Sequence, residues 1–229
     1  MQEVRGRGLG GLVFPSLIVS CQARADNPLH GPQFMASMAL AAEQGGAKAI
    51  RANGPEDVRA IRAVTTLPII GINKCWMQGY EVYITPDFAA ALEVAEAGAD
   101  VIGLDATMRL RPKESLAELI TRIHDLGKPV FADVSTLEEG VVAAGLGADF
   151  VATTLAGHTS YSRKTEGPDF ELLGQLVEEL DVPIVAEGRF WTPEAVSRAF
   201  ELGASAVVVG TAITNPREIT RRFVQGVPV

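Results

Sequence analysis

Polar side chains that interrupt apolar runs mark where this chain could do chemistry. Gln22, Arg51, Asn73 with Lys74, Asp105, Asp133 with Ser135, Thr153 with Thr154, Glu187 with Arg189, and Thr211 each end a run of Val, Ile, Leu or Ala. A lysine grouped with two or three carboxylates can remove a proton next to a carbonyl, or form a Schiff base with it. The turns Glu187-Gly188-Arg189 and Gly210-Thr211 add glycines, which let backbone N–H groups come close to an anion such as a phosphate. By themselves these features point to a sugar phosphate or similar metabolite and to an isomerase or lyase. The same residues have a plainer use. Paired charges also brace a barrel mouth, and a lysine readily lays its stem along apolar surface to reach a carboxylate. The sequence holds no dinucleotide-binding glycine fingerprint and no Ser-His-Asp arrangement. Its three His (His30, His124, His158) and two Cys lack metal-ligand spacing, so neither a metal nor a cofactor is expected.

These residues need elements to carry them, and the elements repeat. Four apolar runs follow Pro15, Pro68, Pro129 and Pro183, and four more follow the Gly-Ala pairs ending at Ala47, Ala99, Ala148 and Ala204. The two series alternate strictly, which gives eight strand candidates. Between them, Leu116, Leu119, Ile120 and Ile123 recur at helical spacing, as do Phe170, Leu173, Val177 and Leu180, and more weakly Phe88, Leu92 and Ala95. Thr85-Pro86, Thr192-Pro193 and Asn215-Pro216 each read as a capping side chain before a proline at the first helical position. Ser135 and Glu138 have the spacing of a capping box, and the Gly of each Gly-Ala pair reads as a left-handed helix terminator. Strands this uniformly apolar suit a parallel sheet buried on both faces. Eight βα units in 229 residues predict a single-domain α/β fold, a closed (β/α)₈ TIM barrel over 17–229 after a short N-terminal segment, 1–16. In that fold the candidate residues gather at the C-terminal ends of the strands, where barrel active sites are built.

Composition narrows the partners. With 47% hydrophobic and 21% charged residues the chain can bury one sizeable core, which sets aside disorder, collagen and coiled coil. Twenty Lys and Arg against 28 Asp and Glu leave a charge of −8, so neither nucleic acid nor an anionic membrane is an expected partner. No apolar run is long enough to span a membrane. Arg5 and Arg7 before Ile18-Val19-Ser20-Cys21 have the look of a lipoprotein leader. Gly10, Gly11 and Pro15 break that stretch, and cleavage would remove a strand of the barrel, so a cytoplasmic protein with reduced Cys21 and Cys75 is expected. Those cysteines end the first and third strands, too far apart for a disulfide. His124 is expected on a solvent-facing side of a helix and His158 in a loop contact.

The strings AEGRFWTPEAV, ADVSTLEEG, TTLAGHTSYS with GPDFELL, GINK and EVYITP occur in order on the predicted strand ends. Through them the chain, from about Leu17 to Pro216, resembles the N-acylglucosamine-6-phosphate 2-epimerase family, also called N-acetylmannosamine-6-phosphate epimerase. The resemblance implies a cofactor-independent (β/α)₈ barrel of bacterial sialic-acid catabolism that converts N-acetylmannosamine 6-phosphate to N-acetylglucosamine 6-phosphate. It implies Lys74 as the group that moves the C2 proton and Glu187 as the assisting carboxylate. Gln22, Arg51 and Asp133 would orient the sugar, with Thr154 beside them, and Gly188, Arg189, Gly210 and Thr211 would lie in the turns that hold the phosphate. It also implies a homodimer, with the C-terminal helix (Arg217 to Gln225) and its Phe223 or Val224 as a candidate contact.

The chain departs from the family pattern after the lysine, where Cys75-Trp76 replace an arginine and an acidic residue. It departs again at Thr214-Asn215-Pro216, where the family has Thr-Arg-Pro, and at Asn73, a polar residue in a normally apolar strand. A lost cation there would weaken the standard substrate's binding, so a divergent member with a shifted substrate is one expectation. A Schiff-base aldolase or lyase on another sugar phosphate, or a non-catalytic sugar-phosphate binder, are the other readings.

Overall fold

The computed structural model describes residues 9–228; Arg5 and Arg7 lie outside the described residues. Eight parallel strands close into a barrel in chain order: β1 (Ser16–Cys21), β2 (Ala49–Asn53), β3 (Ile69–Ile72), β4 (Val101–Asp105), β5 (Val130–Asp133), β6 (Phe150–Ala152), β7 (Ile184–Glu187) and β8 (Ala206–Val209). Closure is made by β1 against β8, with Ile18 beside Val208. Helices α1 (Pro32–Gln44), α2 (Pro55–Arg62), α3 (Phe88–Glu96), α4 (Leu116–Asp125), α5 (Leu137–Gly145), α6 (Phe170–Glu179) and α7 (Pro193–Glu201) fill the crossovers. After β8 come a single turn, α8 (Thr211–Thr214), and α9 (Pro216–Val224). The single-domain (β/α)₈ barrel read from the spacing is the fold observed.

Alternation along each strand sorts the apolar residues into two shells, which explains why the runs show no polar period. Ile18, Ile70, Phe131, Val185 and Val208 point into the barrel, while Val19, Ile69, Val130, Ile184 and Val207 pack under the helices. Leu9, Leu12 and Phe14 pack onto the inner shell, and Phe14 meets Phe150 edge-on with ring centroids 6.1 Å apart. Gly103 faces inward because there is no room for more: a Cβ there would lie 2.6 Å from Ile72.

Helix starts show where local signals compete. Thr192 and Asn215 cap α7 and α9 as expected, and Gly46, Gly98, Gly147 and Gly203 all carry positive φ. Thr85 does not cap α3. Its hydroxyl donates to the Gly103 carbonyl (2.6 Å) and accepts the Asn73 N–H (3.0 Å), and Asp87 caps the helix through the Ala90 N–H. The α5 capping box is one residue later than predicted, at Thr136 and Glu139; Ser135 donates both its N–H and its hydroxyl to Glu139. The buried stripe of α6 is Leu172, Leu173 and Leu176, and Leu180 falls just past the helix end. In α3 it is Ala90, Ala91 and Val94 that are buried. His124 is not turned to solvent: its Nε2 lies 2.9 Å from the Asp149 carboxylate. No helix among the described residues is long and apolar enough to cross a membrane.

Candidate active site

Two residues above the apolar inner shell, the same inward positions turn polar: Ser20 over Ile18, Arg51 over Ala49, Asp133 over Phe131 and Glu187 over Val185. Arg51 is 1% exposed and organises the group. Its guanidinium grips Asp133 in bidentate fashion (Nη1–Oδ1 2.9 Å, Nη2–Oδ2 2.6 Å) and reaches Glu187 Oε2 at 2.5 Å. The Thr154 hydroxyl sits between the two carboxylates, 2.6 Å from Asp133 and 3.0 Å from Glu187. Its single proton can serve only one of them. Burial works against the Arg51 charge, but Asp133 and Glu187 more than offset it and hold its pKa above the ordinary arginine value. Burial raises the Glu187 pKa; Arg51 pulls it back, while Asp133 adds to the rise. Thr153 fixes the Glu187 backbone, donating to its carbonyl and accepting from its N–H.

Lys74 enters from just beyond β3, next to the strand that carries Arg51. Its backbone is pinned twice, by the Asn53 carboxamide, which accepts the Lys74 N–H (2.9 Å), and by an antiparallel bridge to Ile84. Its ammonium donates to Gln22 Oε1 (2.7 Å), and Gln22 in turn donates to the Ser20 hydroxyl (2.8 Å). Burial, reinforced by the Arg51 charge, lowers the Lys74 pKa to about 8, although Glu187 and Asp133 pull the other way. The lysine is therefore half-buried, oriented and able to lose its proton near neutral pH. A group of this kind can act as a base.

The remaining candidates fall around this centre. Asp105 adjoins Asp133 in the strand register, but its own loop engages it: Thr107 donates to it twice and Arg109 once, at 2.7 Å. Gly188 has φ 109° and Arg189 φ 59°, a left-handed pair that turns the chain sharply after β7. The Arg189 guanidinium points into the β6–α6 loop, donating to the Gly167 and Ala156 carbonyls and to the Thr165 hydroxyl. Its side chain is thus committed to the loop. Gly210 lies against β1, where a Cβ would come within 3.3 Å of Ser20, and Thr214 donates to the Ser20 carbonyl. His158 lies at the surface of the β6–α6 loop with its ring partly covered, and that partial burial together with Arg189 and Lys164 lowers its pKa. Among the described residues no group of three or more His, Cys, Asp or Glu is placed to hold a metal ion.

The sequence reading passed over Asn53, Ser20 and Arg109. Asn53 was accessible, since it stands two residues beyond Arg51 and so faces the same way.

A family model described as "Putative N-acetylmannosamine-6-phosphate epimerase" matches residues 35–228. The chain is 53% identical over 211 residues to a "Putative N-acetylmannosamine-6-phosphate 2-epimerase" of Caldanaerobacter subterraneus, covering 91% of this chain and 89% of that protein. It is 47% identical to the protein of the same description from Clostridioides difficile, covering 100% and 99%. The solved structure of the N-acetylmannosamine-6-phosphate 2-epimerase from Clostridium perfringens superposes with a TM-score of 0.93 at 46% identity, over 99% of each chain. The chain belongs to the N-acetylmannosamine-6-phosphate 2-epimerase family.

The places where it departs from the pattern of N-acetylmannosamine-6-phosphate 2-epimerases each have a structural setting. Asn73 points away from the barrel, donating to Glu93 (2.7 Å) and to the Ala90 carbonyl of α3. Cys75 and Trp76 start a hairpin in which the Cys75 N–H donates to the Tyr83 carbonyl and the Trp76 ring stacks on Tyr83 at 5.4 Å. Asn215 caps α9 and also accepts from the Asn27 carboxamide (3.2 Å). Cys21 and Cys75 are both free thiols.

Proposed function

We propose that this protein is an isomerase that interconverts N-acetylmannosamine 6-phosphate and N-acetylglucosamine 6-phosphate, with Lys74 removing the proton at C2. The observation that carries the reading is the state of Lys74: pKa lowered to about 8, head held by Gln22, beside the buried Arg51–Asp133–Glu187 unit. At pH 7 roughly a tenth of such a lysine is neutral, against about one in 2,500 for an unperturbed one. Family membership supplies the substrate class.

The C2 proton becomes acidic once the ring opens, because the charge left on C2 spreads onto the C1 aldehyde oxygen. Opening requires a proton to leave O1 and one to reach O5. Glu187, whose raised pKa lets it carry a proton, is the group for that exchange. Neutral Lys74 then takes the C2 proton and C2 flattens; protonated Glu187 delivers its proton to the opposite face to give the epimer, and the proton left on Lys74 passes through solvent to the Glu187 carboxylate to reset the pair. Gln22, Arg51, Asp133 and Thr154 orient the open chain through a hydrogen-bond network that already exists without substrate. The Gly188–Arg189 and Gly210–Thr211 turns seat the 6-phosphate through backbone N–H groups. A substrate that carries a phosphate dianion does not cross a membrane unaided, which supports a cytoplasmic enzyme.

Proton NMR of N-acetylmannosamine 6-phosphate in D₂O tests the reading. Formation of the gluco epimer by the wild-type protein, lost by about 10²–10⁴-fold in Lys74→Ala, is the expected result. Deuterium at C2 reports exchange of the abstracted proton with solvent; its absence reports a shielded transfer. A borohydride-trapped adduct on Lys74 would instead mark a Schiff-base aldolase or lyase. Tight binding with no turnover would mark a sugar-phosphate binder.

The working unit in this reading is a homodimer. Helix α9 has no buried residue, and Phe223 is 77% exposed on it. Beside it Leu17, Met38, Ala41 and Ile213 line a recess of about 240 Å³ on the outside of the barrel. A second copy is the cover for these apolar surfaces. A dimer mass by light scattering, reduced to monomer in Phe223→Glu, is the expected outcome.

A further inference from the structure

A cation beside the backbone N–H groups strengthens the hold on a phosphate dianion, and the cations around this mouth are largely spoken for. Arg51 is held by Asp133 and Glu187, Arg109 by Asp105 and Thr107, and Arg217 by Asp26 and Glu218. Arg189 is tied to three acceptors of the β6–α6 loop. Asn215, at the junction of α8 and α9, brings no charge.

Arg24 is different. It lies in the β1–α1 loop, exposed, with no hydrogen bond or ion pair for its side chain among the described residues. The loop itself is well anchored. On one side Gln22 is bonded to Lys74 and Ser20. On the other, Asn27 donates to Asn215, and Arg217 donates to the Asp26 carbonyl (3.0 Å). Underneath, Ser20 abuts Gly210 and its carbonyl accepts from Thr214. The segment 22–27 therefore bridges the base and the β8 turn, and Arg24 stands between the two anchors. Its charge reaches Lys74, whose pKa it helps to lower.

We infer that Arg24 is the side chain that grips the 6-phosphate, closing on the dianion from the β1–α1 loop while the Gly210–Thr211 turn holds it from the β8 side. The inference rests on the epimerase reading for its substrate. Its chemistry, a free guanidinium paired with a phosphate dianion, is general. The same loop carries Gln22 and Arg24, so phosphate engaged at Arg24 would also fix the partner of Lys74.

The test compares wild type, Arg24→Ala and Arg24→Lys in turnover and in binding. In turnover of N-acetylmannosamine 6-phosphate, Arg24→Ala is expected to raise KM by about 10–100-fold and leave kcat within about threefold. Arg24→Lys should recover much of the loss, because it keeps the charge. Calorimetric titration with N-acetylglucosamine 6-phosphate, inorganic phosphate and unphosphorylated N-acetylglucosamine isolates the contact. Arg24→Ala should weaken the two phosphates by a similar factor and leave the unphosphorylated sugar unchanged. KM and phosphate affinity within twofold of wild type would overturn the inference, as would an equal loss for phosphorylated and unphosphorylated sugars. A wild-type protein that binds the sugar phosphate without turning it over would defeat the epimerase reading, and the titrations would still decide Arg24. Wild-type protein that binds no phosphate at all would defeat both.

Discussion

The lower and upper halves of one barrel interior are built by different physics from the same strands. Below, Ile18, Ile70, Phe131, Phe150 and Val208 fill the space with apolar volume, and Leu12 closes the end. Above, two residues further along the strands, Arg51, Asp133 and Glu187 fill it with charge, nearly as well shielded from water. The lower half tolerates substitution according to volume, the upper half according to charge balance. Both halves are packed, and only the upper one is poised to react.

The comparison is broken most severely at Arg51. Arg51→Met leaves Asp133 and Glu187 facing each other without their cation, at a cost of about 3–5 kcal/mol. The sign with pH is fixed. Without the guanidinium nothing opposes the burial and the Asp133 charge that raise the Glu187 pKa, so the folded variant holds more protons than the unfolded one. The deficit relative to wild type should then shrink as pH falls from 7 towards 5 and grow as it rises, in urea melts at both pH values. The matching change below, Phe150→Ala, should also cost about 3–5 kcal/mol, through a cavity. Its deficit should be the same at pH 5 and pH 7. A pH-dependent loss at Phe150 would mean the halves are not separate.

Glu187→Gln sharpens the contrast at smaller amplitude. It keeps shape and removes a charge whose desolvation was unfavourable, so stability should stay within about 1 kcal/mol of wild type while turnover falls. The wild-type rate should rise through about pH 8 as Lys74 loses its proton. Glu187 raises the Lys74 pKa and Arg51 lowers it, so removing the Glu187 charge should move that limb to lower pH in a kcat–pH profile. A limb that does not move would detach Glu187 from Lys74. The smallest change expected is at the rim, where Trp76→Ala loses a ring stack of about 0.5–1.5 kcal/mol by thermal melting.

Much of this was legible beforehand. Eight strands show in the sequence because both faces of each are buried and because Pro and Gly-Ala punctuate them in alternation. Parallel strand direction then puts Gln22, Arg51, Lys74, Asp133 and Glu187 at one end without further information. What stayed hidden depends on partners distant in sequence. Thr85 is diverted from capping by the Gly103 carbonyl, and His124 from solvent by Asp149. Ser135 and Thr136 are equally good caps locally; the Thr159 hydroxyl engages Ser135 and the Tyr161 hydroxyl engages Glu139, and Thr136 is the one that caps α5. Which arginines are spent and which is free is likewise a tertiary matter. Arg189 and Arg24 look alike in sequence, but among the described residues the first is bound by three acceptors of a neighbouring loop and the second by none.

The pinning of Lys74 has a consequence for how this enzyme could evolve. Lys74 sits at the foot of a hairpin, its backbone clamped by Asn53 and Ile84, and the chain from Trp76 to Glu81 extends beyond the clamp with Trp76 71% exposed. The clamp separates the tip from the Lys74 side chain. The hairpin is therefore a place where sequence can drift, lengthen or be exchanged while the chemistry beneath it is inherited unchanged.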